Sequence, residues 1–200
     1  ARDMAMLAAY ALKNQDFRRI VSTASVTIGE RYLANHNKLL RLYGGCIGVK
    51  TGFTKAAGRT LVSAAAREGM TLVCATLNDG NDWNDHMALL DYGFANYHME
   101  TAVPAGRVLA SVLVQGGTAV SIPLAASEDL SYPLTGEESL KVVARVPLSI
   151  PAPVVPGQAV GEVCAYLEDQ EVVRVELVAA APSAKKERVP APSSWWDKVF

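Results

Sequence analysis

Lys50-Thr51-Gly52 is the stretch of this sequence whose side chains could do chemistry at close range. It offers an ammonium, a hydroxyl and a residue without a side chain in succession, at the end of the apolar run Ile47-Gly48-Val49. An ammonium there presents positive charge to a carboxylate, the threonine hydroxyl adds a hydrogen-bond donor, and glycine lets a substrate backbone lie alongside the strand. Tripeptides recur by chance in chains of this length, and the same residues also suit an ordinary surface strand end. Thr54, just beyond, is a further hydroxyl that either meets a ligand or stabilises the loop formed by residues 52–58. Arg41 and Arg59 could pair with a carboxylate in bidentate fashion.

Other reactive side chains are read as structural. His36, His86 and His98 lack metal-ligand spacing and are expected at surface or cap positions. Asp79, Asp82, Asp85 and Glu100 could form an acidic cluster, but turn and N-cap chemistry accounts for the first three. Cys46, Cys74 and Cys164 are odd in number, far apart and set in apolar sequence, so they are read as buried thiols and neither a disulfide framework nor a zinc set. No metal and no cofactor is implied.

The elements that must position these residues follow from periodicity. Residues 3–12 place Met4, Leu7, Ala8, Ala11 and Leu12 at helical spacing behind Asp3 as N-cap, and a short helical turn is expected over 16–21. Residues 22–34 suggest an extended or hairpin segment. Residues 47–51, 60–66 and 70–77 read as three strands of an antiparallel meander, the last two joined by the three-residue loop Arg67-Glu68-Gly69. Asp79-Gly80-Asn81-Asp82 then opens a helix in which Trp83, Met87, Leu90, Phe94 and Tyr97 recur every three or four residues. Beyond Pro104 the period changes to two: Val108, Ala110, Val112 and Val114; Leu140, Val142, Ala144 and Val146; Val173, Val175 and Leu177. The fold class is therefore α+β: an antiparallel sheet with helices over residues 1–101, a small all-β domain over 102–181, and a tail over 182–200.

Composition bounds the function. The 200 residues are 50% hydrophobic and 20% charged, ordinary for a globular protein, and 19 basic against 20 acidic side chains give a net charge of −1. No overall field favours nucleic acid, so nucleic-acid binding is not expected. No apolar run approaches the roughly 20 residues of a membrane span. The opening Ala-Arg-Asp-Met lacks both an initiator methionine and a signal pattern, as in the interior of a longer polypeptide. In the tail, Lys185, Lys186, Arg188 and Lys198 outnumber Glu187 and Asp197, giving +2, and Trp195-Trp196 stands beside them. Paired indoles next to cations suit a membrane interface; docking of the same indoles on the protein body is the other reading.

Several segments stand in a fixed order: Ala1-Arg2-Asp3-Met4-Ala5, Asn35-His36-Asn37-Lys38-Leu39-Leu40, Gly48-Val49-Lys50-Thr51-Gly52-Phe53-Thr54, Gly58-Arg59-Thr60-Leu61-Val62, Leu89-Leu90-Asp91-Tyr92-Gly93-Phe94 and Pro156-Gly157-Gln158-Ala159-Val160-Gly161. In this order they resemble the low-molecular-weight penicillin-binding proteins, the serine-type D-alanyl-D-alanine carboxypeptidases, over about residues 1–180. The resemblance implies part of a β-lactamase-like catalytic domain, a small β domain and an amphipathic membrane anchor beginning in the tail. It implies a peptidoglycan stem peptide as substrate, acylation by β-lactams, and a place in the cell envelope outside the cytoplasm at the membrane surface.

In residue terms, the resemblance implies that Lys50, Thr51 and Gly52 are catalytic, with Phe53 donating its backbone N–H to the oxyanion. Lys50, Thr51 and Thr54 would bind substrate. Of the superfamily's three motifs, Ser-x-x-Lys, Ser-x-Asn and Lys-Thr-Gly, only the third stands in a convincing context. No Ser is followed two places later by Asn, and the sole Ser-x-x-Lys, Ser183-Ala184-Lys185-Lys186, lies in the tail and reads as accidental. The nucleophile is expected upstream, in an N-terminal portion of the same polypeptide that is either missing by truncation or a separate fragment that associates with this one. A non-catalytic envelope-binding module is the alternative.

Overall fold

The structure is a computed structural model in which residues 1–187 are described. The chain divides into two compact units, one formed by Ala1–Met99 with Pro133–Glu137 and the other by Glu100–Tyr132 with the residues from Glu138 onward.

The first unit opens with helices α1 (Arg2–Ala11) and α2 (Gln15–Ser22). Ala1 occupies the N-cap of α1 and Asp3 falls within the first turn, where its charge suits the helix dipole, so Asp3 is not the cap expected from sequence. Asn14 caps α2 by accepting the Phe17 N–H at 3.0 Å. Strands β1 (Ser25–Ile28) and β2 (Arg31–Ala34) form a hairpin, and a single helical turn, α3 (Leu39–Leu42), follows. The central element is the antiparallel sheet β3 (Cys46–Thr54), β4 (Gly58–Arg67) and β5 (Met70–Leu77), in that spatial order.

Strand β3 runs through Gly52 to Thr54, residues expected in a loop. Two glycines explain the difference. A Cβ at Gly52 would collide with the Thr60 hydroxyl on the facing strand, so glycine is what lets the ladder continue, and Gly58, at φ +66°, turns the chain into β4. The β4–β5 connection is also tighter than expected. Arg67 pairs with Met70, leaving the two-residue turn Glu68-Gly69, both at positive φ, the mirror-image geometry that matches strand twist.

Helix α4 (Asp82–Asn96) packs on this sheet, burying Leu90 with Leu61, Ala65 and Leu39, while α1 contributes Ala8 and Leu12 to a second cluster with Val62 and Ala64. The apolar stripe of α1 is only partly used: Met4 and Leu7 are 45% and 60% exposed.

The second unit is built from strands. β6 (His98–Val103) and β9 (Leu130–Leu134), each with residues assigned to both units, form a two-stranded sheet. A six-stranded sheet has the order β10 (Leu140–Arg145), β12 (Ala159–Leu167), β13 (Gln170–Ala179), β8 (Ser121–Ala126), β7 (Val108–Gln115) and β11 (Ser149–Pro151). All its pairings are antiparallel except β11 with β7. Its core contains Val112, Val114, Ile122, Leu124, Val163, Val175 and Leu177, mostly positions of the period-two pattern. Val108, Val142, Ala144 and Val146 belong to that pattern by spacing yet are exposed.

After β13 the chain returns as a strap. Ser183 pairs with Val154, Gly117 pairs with Lys185, the Thr118 N–H bonds Ala184 O and the Lys186 N–H bonds Gly116 O. The tail residues Trp195 and Trp196, with Arg188 and Lys198, lie outside the described residues.

Candidate active site

Lys50, Thr51, Gly52, Phe53 and Thr54 line one cleft of about 830 Å³, at the end of β3 that turns into β4. His36, Arg59, Thr60, Asp82 and Trp83 complete its wall. Among the described residues β3 is an edge strand, paired with β4 alone.

The direction of its backbone groups follows from one hydrogen bond. Arg59 accepts the Asp79 N–H on its carbonyl at 3.0 Å, so its backbone polar groups point away from β3. Arg59 lies opposite Phe53, and this rung is therefore of the non-hydrogen-bonded kind. Phe53 N–H, and Thr51 two residues back, consequently face the open edge. Lys50 Nζ curls to the same edge and donates to the Thr51 carbonyl. The Lys50 ammonium and the outward backbone groups of Thr51 and Phe53 thus share one strand edge, with Thr51 also lining the cleft, where an anionic group or a peptide backbone can be received.

Thr54 has a local task as well: its hydroxyl accepts the Ala57 N–H at 3.0 Å and closes the turn between β3 and β4. Arg59 lies in the cleft wall, yet its guanidinium is committed. Nε and Nη2 donate to the two carboxylate oxygens of Asp82 at 3.1 and 2.6 Å, and the guanidinium carbon lies 5.4 Å from the Trp83 ring centroid. Asp82 holds the Arg59 guanidinium in its charged form by this hydrogen bonding. Arg41, in the last turn of α3, does not line the cleft.

Two residues differ from their expected roles. Asp82 is not a cap; Asn81 holds that position, and Asp82 is 2% exposed beneath Arg59. His86 is not at the surface. It is fully buried, with Nδ1 2.6 Å from the Ser63 hydroxyl and Nε2 3.0 Å from the Thr76 hydroxyl. His36 is exposed as expected, but within the cleft wall. Asp79 does serve the turn, accepting the Asn81 N–H at 3.0 Å. No spacing rule would have joined Arg59 to Asp82 and Trp83, since the pairing arises where a hairpin end meets a helix start.

The tail's Ser-x-x-Lys is structural: Ser183 is 1% exposed, and its hydroxyl accepts the Ala119 N–H at 3.2 Å. Of the three thiols, Cys164 is fully buried, whereas Cys46 and Cys74 are half-buried. Burial pushes the Cys74 thiol up to about 11 and the other two in the same direction, so none is a poised nucleophile. No cluster of three or more metal-ligating side chains occurs among the described residues.

Residues 1–81 match the family model described as D-alanyl-D-alanine carboxypeptidase, and residues 97–184 match that described as penicillin-binding protein 5, C-terminal domain. The chain belongs to the low-molecular-weight penicillin-binding proteins of the D-alanyl-D-alanine carboxypeptidase family. It is 29% identical over 198 residues to the D-alanyl-D-alanine carboxypeptidase DacF of Bacillus subtilis, covering 93% of this chain and 50% of that protein. It is 37% identical over 105 residues to the D-alanyl-D-alanine carboxypeptidase DacB2 of Mycobacterium tuberculosis, covering 48% of this chain and 36% of that protein. Among solved structures, a peptidoglycan synthesis regulatory factor (PBP3) from Streptococcus pneumoniae superposes with a TM-score of 0.77 at 25% identity, over 92% of this chain and 56% of that one. The chain thus spans about half the length of such relatives, or less.

Proposed function

We propose that the polypeptide to which this chain belongs is a serine-type D-alanyl-D-alanine carboxypeptidase, with its nucleophile supplied from outside these 200 residues. A serine hydroxyl, its proton taken by a neighbouring lysine, attacks the carbonyl of the penultimate D-alanine of a peptidoglycan stem peptide. The C–N bond breaks, terminal D-alanine leaves with a proton, and water hydrolyses the resulting ester to restore the serine. The observation that carries the reading is the outward N–H of Phe53 beside Lys50 and Thr51 on one strand edge. In the tetrahedral intermediate that N–H supplies one of two donors to the oxyanion. Lys50 keeps the cleft positive, the Thr51 hydroxyl bonds the substrate's terminal carboxylate, Gly52 allows close approach, and Thr54 holds the turn beneath them. β-Lactams acylate the same serine.

The same reading gives a catalytic part at residues 1–101, a β domain at 102–181 and a tail at 182–200, with an N-terminal portion of the polypeptide seated against the first part. The separate hydrophobic cores support the division, and the exposed Met4, Leu7 and Tyr10 of α1 suit a covering partner. The enzyme acts in the cell envelope outside the cytoplasm, held at the membrane surface through the tail.

Labelling with a fluorescent penicillin tests the reading. The intact polypeptide takes the label and residues 1–200 alone do not. Lys50→Ala lowers the acylation rate of the intact polypeptide by about 100-fold or more while its thermal stability stays within about 0.5 kcal/mol of wild type. An unlabelled intact polypeptide removes the enzymatic reading and leaves a non-catalytic binding module. Covalent labelling of residues 1–200 alone shows that the nucleophile lies within them.

A further inference from the structure

Strand β4 turns Arg59, Leu61, Ser63 and Ala65 to one face, and α4 meets that face with Asp82, His86 and Leu90, each one helical turn from the next. Leu61 and Ala65 pack with Leu90. The other two contacts are polar: Arg59 with Asp82, and Ser63 with His86. In the register of β3 with β4, Arg59 stands opposite Phe53 and Ser63 opposite Val49. Lys50, Thr51 and Gly52 therefore lie between two rungs, each tied to the same helix.

Both helix residues are buried, Asp82 at 2% and His86 at 0% exposure. Burying a carboxylate is costly unless it is paired, and well-packed apolar side chains would hold a helix to a sheet as firmly. A bidentate guanidinium–carboxylate pair adds geometry, because two parallel hydrogen bonds tolerate little sliding. Trp83 lies against the Arg59 guanidinium and restricts it further.

We propose that Asp82 is a positioning residue: acting through Arg59, it fixes the Phe53 rung and so the aim of the Phe53 N–H at the developing oxyanion. The Ser63–His86 contact is the second fixed point, at the other end of the Lys50–Gly52 segment. The proposal deepens the carboxypeptidase reading and rests on it.

Acylation of the intact polypeptide by a β-lactam tests the proposal, with the rate measured against concentration so that noncovalent affinity and the acylation step separate. Asp82→Asn keeps the shape of the side chain and removes the charge; Arg59→Lys keeps the charge and removes the fork. Each slows the acylation step by about 10-fold or more, as expected for misplacement of a group near the reacting atoms. Affinity for the unreacted β-lactam stays within about threefold of wild type. The double variant is no slower than the slower single variant, because both break one link.

A purely stabilising ion pair would lower the melting temperature and leave the acylation step of the folded protein untouched, and that result overturns the proposal. Losses that multiply in the double variant also overturn it. If Asp82→Asn does not fold, Arg59→Lys decides. A wild-type polypeptide that takes no label removes the carboxypeptidase reading and this proposal with it, whereas a labelled wild type with equally fast variants removes this proposal alone.

Discussion

His86 is held in its neutral form by burial, which pushes its pKa below the usual imidazole value against the pull of Asp82, Asp79 and Asp85. One ring nitrogen donates and the other accepts, so the ring joins the Ser63 hydroxyl on β4 to the Thr76 hydroxyl on β5. The unfolded chain takes up a proton at about pH 6.5, and the folded chain does so only at lower pH. The stability contributed by the neutral ring is therefore complete above about pH 6.5 and is lost as pH falls below it, at no more than about 1.4 kcal/mol per pH unit. Thermal melts between pH 7.5 and 5 should show this fall in the wild type and a shallower one in His86→Gln, which cannot titrate. Identical slopes would mean that other groups carry the acid sensitivity.

Cys164 shows what one strand face can conceal. Its neighbours Val163 and Ala165 point into the β-domain core, so Cys164 points to the opposite face, yet it is fully buried. In register it stands between Val143 of β10 and Arg174 of β13, and Arg145, Glu162, Tyr166 and Glu171 close over that face. Arg174 bonds Glu162 at 3.0 Å and Glu171 at 2.6 Å, while Arg145 bonds Glu162 at 3.1 Å. The aliphatic stems of these long side chains are expected to be the cover over the thiol. Arg174→Ala should uncover it: reaction with an aromatic disulfide reagent under native conditions is expected to speed up about tenfold, with little change in melting temperature, as is usual for exposed ion pairs. An unchanged rate would place the cover elsewhere.

The alternation of Val173, Val175 and Leu177 with Arg174 and Glu176 is legible in the sequence, and so is the apolar repeat of α4. The polar members of the buried α4 face are not legible. Asp82 and His86 can sit inside only because Arg59, Ser63 and Thr76, on two other strands, satisfy them, and such pairings depend on register. The extension of β3 through Gly52 was hidden similarly, since the reason for that glycine is a hydroxyl on the facing strand.

Over the whole chain, the order of the sequence segments identifies the family, whereas the partners of Arg59 and the closing of Ser183 into the β domain emerge only when distant segments meet. The tail gives the prediction at this scale. In the intact polypeptide, replacing both Trp195 and Trp196 by alanine should reduce flotation with anionic vesicles, and raising the salt concentration should reduce the binding of the unmodified protein by screening its cations. Flotation that is insensitive to both changes would assign the indoles to the protein body.

The strap formed by residues 183–186 also has a mechanical meaning. It is laid between Val154 on one side and the Gly116–Ala119 turn on the other, with the Ser183 hydroxyl seated beneath the Ala119 N–H. If the tail is a tether, any tension along it arrives at Lys186 and loads these hydrogen bonds before it reaches the strands of the six-stranded sheet. The strap is then a strain relief: it anchors the leash to the body of the β domain, so that a tug on the leash is spent at its root and the sheet keeps its register.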